Sequence, residues 1–132
     1  MIKILAVALG GALGAVARYG ISQLAERYQG LFPIGTLAAN AIGCLAIGVV
    51  MWFAFGRPDA SPESTPMSEG WRLFLAVGLL GSLTTFSTFA YESMGLVQEG
   101  ETKEAFAYVA ASLAIGIGAV ALGWVAARAL VP

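Results

Sequence analysis

Four long apolar segments, separated by short connectors, dominate this 132-residue chain. A helix needs about 20 mostly apolar residues to cross the hydrocarbon core of a bilayer, and each segment is long enough. Hydrophobic residues make up 58% of the chain and charged residues 11%, whereas a soluble domain is roughly 45–50% apolar and about 25% charged. We therefore predict an all-α membrane protein with a single four-helix transmembrane domain over residues 1–132. The predicted spans are residues 4–24, 34–55, 71–97 and 104–128.

The composition also excludes several classes of function. The chain has no histidine and a single cysteine, Cys44, which removes intrachain disulfides and the usual zinc sites. Cys44 lies in the second segment, and we interpret it as a small buried apolar residue. The formal net charge of −1 leaves no basic surface for nucleic acid. We expect a multi-pass protein of the cell (inner) membrane, surrounded by lipid.

The third segment has a run of hydroxyl residues and phenylalanines in its middle. The run is Gly81-Ser82-Leu83-Thr84-Thr85-Phe86-Ser87-Thr88-Phe89. Threonines lower helix propensity slightly, and hydroxyl side chains compete for backbone hydrogen bonds. We predict that the third helix is broken near its middle, although a continuous helix whose hydroxyls bond to the preceding turn remains the alternative. Such a break survives in a bilayer only where it is buried in protein or lines a cavity.

Small and charged residues mark the first segment. Gly10 and Gly14 form a G-x-x-x-G pair, a spacing that allows two membrane helices to approach closely. Arg18 is costly inside a membrane and usually faces protein or a water-filled cavity. Near the end of a segment its side chain can instead extend to the headgroups, so both interpretations stay open.

Polar side chains of the second and fourth segments are candidates for an ion path. Asn40 follows Thr36 by one helical turn and offers two N–H donors and one carbonyl acceptor. It either forms an interhelical hydrogen bond, typically worth about 0.6 kcal/mol, or lines an anion path as a donor. Tyr108 and Ser112 share a face of the fourth segment, where they serve either as packing hydroxyls or as polar groups of the path.

The distribution of positive charge gives no strong orientation to the chain. With four spans, one side of the membrane carries Lys3, Arg57, Arg72 and Arg128, and the other carries Arg27 and Lys103 with Arg18 close by. Orientation follows the Lys/Arg difference between the two sides, and this difference is small enough to allow insertion both ways. Two oppositely oriented copies would form an antiparallel homodimer. Because four short helices enclose little of a pore, we expect such a dimer.

These motifs occur together over all four segments. They are residues 10–15 with Arg18-Tyr19, Gly35-Thr36-Leu37 with Asn40 and Gly43, residues 81–89 with Glu92, and Tyr108 with Ser112. The T-T-F-S-T-F run with an upstream G-T-L-x-x-N is specific in combination, and the whole set resembles the Fluc/CrcB family of fluoride channels. The resemblance implies a dual-topology homodimer with two antiparallel pores that exports cytoplasmic fluoride passively.

The resemblance also implies which residues form the fluoride pathway. Phe86 and Phe89 would line the pores, with Asn40 as a donor near them. Tyr108 and Ser112 would form a polar track on the fourth helix. An aromatic ring has a positive edge, so the two phenylalanines could stabilise an anion without a full charge that would trap it.

The resemblance implies a bound cation as well. The backbone carbonyls of Gly81 and Thr84, from both subunits, would hold a structural sodium ion at the dimer interface. A buried cation would offset the cost of bringing anions into a medium of low dielectric constant. Arg18 would lie near a vestibule, and the role of Glu92 is left open.

Other classes of membrane protein remain as alternatives. Small proton-coupled multidrug-type exporters also have four short helices and near-balanced charges, but they use a glutamate within the first helix. Here the first acidic residue is Glu26, at the end of the first span, so Glu92 would be the candidate. A non-transporting subunit that packs against a partner gives no reason for the run of hydroxyls and phenylalanines. An enzyme is the weakest alternative, since no span has paired acids or a metal-ligand cluster.

Overall fold

The computed structural model describes residues 1–28, 30–56 and 67–130. Every element in these ranges is helical: α1 (Ile2–Ala25), α2 (Ile34–Phe55), α3 (Glu69–Arg72), a π-helical stretch (Leu73–Leu80), α4 (Gly81–Leu83), α5 (Phe86–Gln98) and α6 (Thr102–Leu130). Arg57, which entered the charge comparison, lies outside the described residues.

The four predicted spans are confirmed as helices long and apolar enough to cross a membrane. They are Ile2–Ala25, Ile34–Phe55, Glu69–Gln98 and Thr102–Leu130. α1 has 24 residues, which at about 1.5 Å per residue makes it roughly 36 Å long. α6 extends further, with 29 residues. The apolar side chains of these helices are largely exposed on the single chain, as expected where lipid is the solvent.

The predicted break in the third span is confirmed and lies at Thr84 and Thr85. Both residues have extended backbones, with ψ of 152° and 118°. On one side α4 ends at Leu83, and on the other α5 begins at Phe86. Thr85 is the N-cap of α5, because its hydroxyl accepts a hydrogen bond from the backbone N–H of Thr88. The break is therefore a short extended segment between two helices. The helix end on each side of this segment has defined hydrogen bonds.

The half-span before the break is wound as a π-helix over Leu73–Leu80. π-Helical turns are rare, and they frequently occur at functional sites. The end of this stretch shows the wider winding, since the N–H of Gly81 donates to the carbonyl of Ala76, five residues back. The π-helical stretch thus leads directly into α4 and the break.

Glycines let the helices approach at backbone distance within one chain. A side chain on Gly10 would overlap the Phe74 carbonyl oxygen, and one on Gly14 would overlap the Leu79 carbonyl oxygen. The G-x-x-x-G pair of α1 therefore packs against the chain's own π-helical stretch. The second pair of helices is formed by α2 and α6 and relies on glycines in the same way. A side chain on Gly123 would overlap the backbone of Leu45.

A tight turn joins α5 to α6 and places the two helices side by side. Gly100 adopts a φ of 86°, which favours glycine. Its N–H donates to the Val97 carbonyl, and the N–H of Glu101 donates to the Leu96 carbonyl, the pattern of a Schellman motif. This turn brings Tyr108 of α6 against α5, where the side chain is completely buried.

Candidate functional site

An apolar groove of about 520 Å³ lies alongside the break. Its walls come from α2, the π-helical stretch, α4, α5 and α6. The polar and aromatic residues that line it are Asn40, Thr84, Thr85, Phe86, Phe89 and Ser112. Among the described residues that line the groove, none is Asp, Glu, Lys or Arg. An ion in this groove would therefore meet dipoles and aromatic rings instead of a full charge.

Asn40 holds the backbone at the break through two hydrogen bonds. Its Nδ2 donates to the carbonyl of Thr85 at 3.1 Å, and its Oδ1 accepts from the N–H of Thr85 at 2.7 Å. A side-chain amide has two N–H hydrogens, and the second one makes no hydrogen bond to the residues that the structure describes. Asn40 also lines the groove. One residue thus stabilises the extended backbone and offers a donor beside it.

The carbonyls before the break differ from those of a regular helix. In an α-helix the carbonyl of Gly81 would accept from the N–H of Thr85, but that N–H donates to Asn40 instead. Thr84 has an extended backbone, which turns its carbonyl away from the helical pattern. Gly81 and Thr84 both line the groove, so the altered backbone lies at the groove wall.

A row of aromatic rings leads from the groove into the protein. The ring centroids of Phe86 and Phe89 are 5.6 Å apart, and those of Phe89 and Tyr108 are 5.3 Å apart. Phe32 meets Tyr108 edge to face, also with 5.3 Å between the ring centroids. Phe86 is 78% exposed on the single chain, whereas Phe89 is half-buried. The Phe86 ring therefore has one side without protein contacts from its own chain.

Glu92 accepts hydrogen bonds from two hydroxyls on two other helices. The Thr36 hydroxyl on α2 donates to one carboxylate oxygen, and the Tyr108 hydroxyl on α6 donates to the other, each at 2.7 Å. Glu92 therefore ties α5 to both neighbours one turn beyond Phe89.

Ser112 lines the groove and has a buried hydroxyl without a hydrogen-bond partner among the described residues. A buried polar group left in this way costs about 1–3 kcal/mol. Ser112 is therefore a residue of the groove wall whose hydroxyl makes no hydrogen bond to the described residues.

The groove brings together most of the residues singled out from the sequence. Asn40, Phe86, Phe89 and Ser112 line it, as do Gly81 and Thr84. Tyr108 does not line it, since this side chain lies behind Phe89. Arg18 is half-buried on α1 and is not among the groove residues. The roles assigned to these residues by resemblance stay predictions.

Sequence reasoning missed the importance of Thr85 and of the contact between Thr36 and Glu92. For Thr85 a signal was present, because a hydroxyl residue directly before a helical segment is a typical N-cap. The contact of Thr36 with Glu92 spans 56 positions in sequence, so no local pattern indicates it. The same holds for the π-helical stretch, whose residues form an ordinary apolar run.

Comparison with known proteins decides the family. The model of the CrcB-like protein family, described as camphor resistance (CrcB), matches residues 5–124. The chain belongs to the CrcB family. The match includes all of the groove residues and covers the four spans apart from their outermost ends.

Curated members of the CrcB family are similar over almost the full chain. A protein of Desulfotalea psychrophila is 45% identical over 121 residues, which cover 92% of this chain and 88% of the relative. A protein of Acidobacterium capsulatum is 44% identical over 130 residues, or 98% of each chain. One of Pyrococcus horikoshii is 42% identical, with 96% and 97% covered. All three relatives are named fluoride-specific ion channel FluC. With four spans, this CrcB-family chain is a multi-pass membrane protein, which in bacteria resides in the inner membrane.

Proposed function

We propose that this protein is a fluoride-selective ion channel that lets fluoride leave the cytoplasm passively. The observation that carries the proposal is the groove at the break, which combines uncharged donors with aromatic rings. The names of the relatives support it, since they are fluoride-specific ion channels. On this basis the protein transports an ion, and we assign it no catalytic role.

The donors in the groove suit a small anion that accepts hydrogen bonds strongly. Asn40 has a spare N–H, and Ser112 has a hydroxyl without a protein partner among the described residues. The positive edges of Phe86 and Phe89 add a weaker attraction. Conduction requires binding that is strong enough for entry and weak enough for exit. Dipoles and ring edges meet this requirement better than a lysine or arginine, which would hold the anion.

The functional form in this proposal is an antiparallel homodimer with two pores. On a single chain the groove is open and Phe86 is 78% exposed, so a second copy could close the path over the phenylalanines. The small difference in Lys and Arg between the two sides of the membrane permits both orientations. A two-fold axis in the membrane plane would then give each copy the same role.

A sodium ion at the centre of the dimer forms part of the proposal. The carbonyls of Gly81 and Thr84 would hold it, and the displaced N–H of Thr85 supports this assignment because it leaves the Gly81 oxygen without its usual helical donor. When bound, the ion would supply a fixed positive charge that lowers the cost of an anion nearby. Arg18 would contribute positive charge nearer the vestibule.

The alternative of a proton-coupled multidrug-type exporter receives no support. Its test residue would be Glu92, but both carboxylate oxygens of Glu92 are engaged by the hydroxyls of Thr36 and Tyr108. The relatives are named as channels and not as exporters.

Ion efflux from liposomes tests the proposed function directly. Purified protein is reconstituted into vesicles loaded with potassium fluoride or potassium chloride, and external ion-selective electrodes follow the release after valinomycin is added. We expect rapid loss of fluoride, little loss of chloride and no dependence on a pH gradient. Equal loss of both anions would contradict selectivity, and absence of fluoride loss from well-folded protein would contradict the channel itself.

A further inference from the structure

Gly43 of α2 and Thr84 at the break are in closer contact than any side chain at position 43 would allow. A Cβ added to Gly43 would overlap the Cγ2 methyl group of Thr84. The next nearest atoms, Thr84 Cβ and Leu83 Cδ2, would lie at ordinary contact distances of 3.7 Å and 3.8 Å. Gly43 is buried, and both Gly43 and Thr84 line the groove. A single methyl group of a groove residue therefore occupies the space that a side chain on Gly43 would fill.

The Thr84 methyl group is held in this place by the hydroxyl of the same side chain. The Thr84 Oγ1 donates to the carbonyl of Leu80 at 3.0 Å. The methyl group and the hydroxyl are attached to the same Cβ, so one torsion angle fixes both. Rotation of the methyl group away from α2 would break the bond to Leu80. A side chain at position 43 would therefore displace the Thr84 backbone as well as its methyl group.

Asn40, three residues before Gly43 on α2, holds the same stretch of backbone. The peptide between Thr84 and Thr85 is trans, so its C=O and its N–H point in opposite directions. The Asn40 Oδ1 accepts from that N–H at 2.7 Å, and the Thr84 carbonyl therefore points away from Asn40. This carbonyl accepts no hydrogen bond from the residues that the structure describes. Asn40 and Gly43 thus fix the position of an oxygen that has no donor among those residues.

We propose that Gly43 is a positioning residue for the proposed sodium ion, because its missing side chain seats Thr84 where the Thr84 carbonyl can bind the cation. The inference rests on the proposed function, which assigns this oxygen to the ion together with that of Gly81. Oxygen atoms are the ligands that hard cations prefer. Gly43 does not touch the ion and acts through the position of Thr84, as residues behind the ligands of a metal site commonly do.

Sodium binding by the purified protein gives the first measurement. The protein in detergent is exchanged into sodium-free buffer, and its melting temperature is followed by tryptophan fluorescence as sodium chloride replaces N-methyl-D-glucamine chloride. A ligand that binds only the folded state raises the melting temperature, so the sodium concentration at which the rise begins, the sodium onset, reports the affinity. Gly43→Ala should move the sodium onset about tenfold higher, as is typical of changes behind metal ligands. Sodium retained after the exchange, measured by elemental analysis, should fall in the same variant.

A role limited to packing would give a different result. If Gly43 only let α2 pack against the break, Gly43→Ala would lower the melting temperature equally at every sodium concentration. Such an unchanged sodium onset would overturn the inference. Gly123→Ala is the matched control, because its methyl group would overlap the Leu45 carbonyl oxygen between α2 and α6, and neither residue lines the groove. It should lower the melting temperature and leave the sodium onset at the value of the parent.

A second substitution tests the contact from the other side. Thr84→Ser removes the methyl group that a side chain on Gly43 would overlap, and it keeps the backbone carbonyl and the hydroxyl that bonds to Leu80. The double variant Gly43→Ala with Thr84→Ser should therefore fold and show the sodium onset of the parent, whether or not Gly43→Ala folds alone. A raised sodium onset in the double variant would overturn the inference.

Fluoride efflux from liposomes, measured on the same proteins, keeps this inference apart from the proposed function. A parent that releases fluoride but neither retains sodium nor melts higher with it would overturn both the sodium site and the role of Gly43, and the channel would stand. A parent that binds sodium but releases no fluoride would overturn the channel. The sodium onsets of the variants would then still decide the role of Gly43.

Discussion

The side chain of Asn40 and the backbone of Thr85 form a closed pair of hydrogen bonds, 3.1 Å and 2.7 Å long, across 45 positions of sequence. This pair resolves the problem that a broken helix creates inside a membrane, where a backbone group without a partner costs several kcal/mol. Gly43, which follows Asn40 on the same helix, lets Thr84 pack directly against α2, because a side chain there would overlap the Thr84 methyl group. α2 thus supports the break at two neighbouring points.

Replacement of Asn40 by leucine should destabilise the break. The N–H and the carbonyl of Thr85 would both lose their partner, and each loss costs about 1–3 kcal/mol. We expect a lower melting temperature in detergent, measured by tryptophan fluorescence, together with strongly reduced fluoride efflux. Gln23→Leu is the control, since this amide is exposed and bonds only to Glu26. An Asn40→Leu protein as stable as the parent would contradict the supporting role.

Glu92→Gln should weaken the link between α5 and its neighbours. A glutamine has one oxygen that accepts, so either the Thr36 or the Tyr108 hydroxyl would face an N–H group in place of an acceptor. We expect a loss of about 1–3 kcal/mol in the free energy of unfolding. Tyr108→Phe combined with Glu92→Gln should cost less than the sum of the two changes. Glu99→Gln, at an exposed carboxylate, should have no effect.

The two phenylalanines should respond differently to replacement by isoleucine. Phe86 is largely exposed on the single chain and makes one aromatic pair, with Phe89, so Phe86→Ile should abolish fluoride efflux and cost only about 0.5–1.5 kcal/mol of stability for that one pair. Phe89 packs on both Phe86 and Tyr108, and its replacement should also cost about 0.5–1.5 kcal/mol for each lost aromatic pair. Size-exclusion chromatography shows whether the dimer persists. If both variants conduct like the parent, the phenylalanines do not line the path.

Gly10→Ala should disrupt packing inside each chain. The added methyl group would overlap the backbone of Phe74 and Leu79, which cannot move aside as a flexible side chain could. We expect a loss typical of overpacking, about 1–3 kcal/mol. Gly20→Ala in the same helix meets nothing within 4 Å and should be neutral or stabilising. Equal melting temperatures for the two variants would show that α1 does not depend on this contact.

Added positive charge in the first connector should reduce function if the chain inserts in both orientations. Two lysines placed beside Arg27 would bias every copy towards one orientation. Fewer antiparallel pairs would then form, and fluoride efflux per milligram of protein should fall. Co-expression with a variant that carries two lysines beside Arg72 should restore it. Unchanged activity of the first variant alone would argue against dual topology.

The sequence by itself determined the four spans and the position of the break. The length of an apolar segment is a local property of the sequence, and it determines whether a helix can cross the hydrocarbon core of a bilayer. The predicted spans differ from the observed helices by two residues or fewer at each end. The break follows from hydroxyl and β-branched residues in a single short stretch, and these disfavour a regular helix wherever they occur.

Only the tertiary structure decided which partners these residues have. The sequence left open whether Asn40 makes an interhelical bond, and the fold places it against Thr85 with one N–H to spare. It placed Gly10 and Gly14 at a helix contact, and the fold shows that this contact is with the chain's own π-helical stretch. The physical reason is the same in each case. Periodicity shows that a residue faces a neighbour, but the choice of neighbour depends on backbone geometry across many tens of residues, including a π-helical winding that no local pattern indicates.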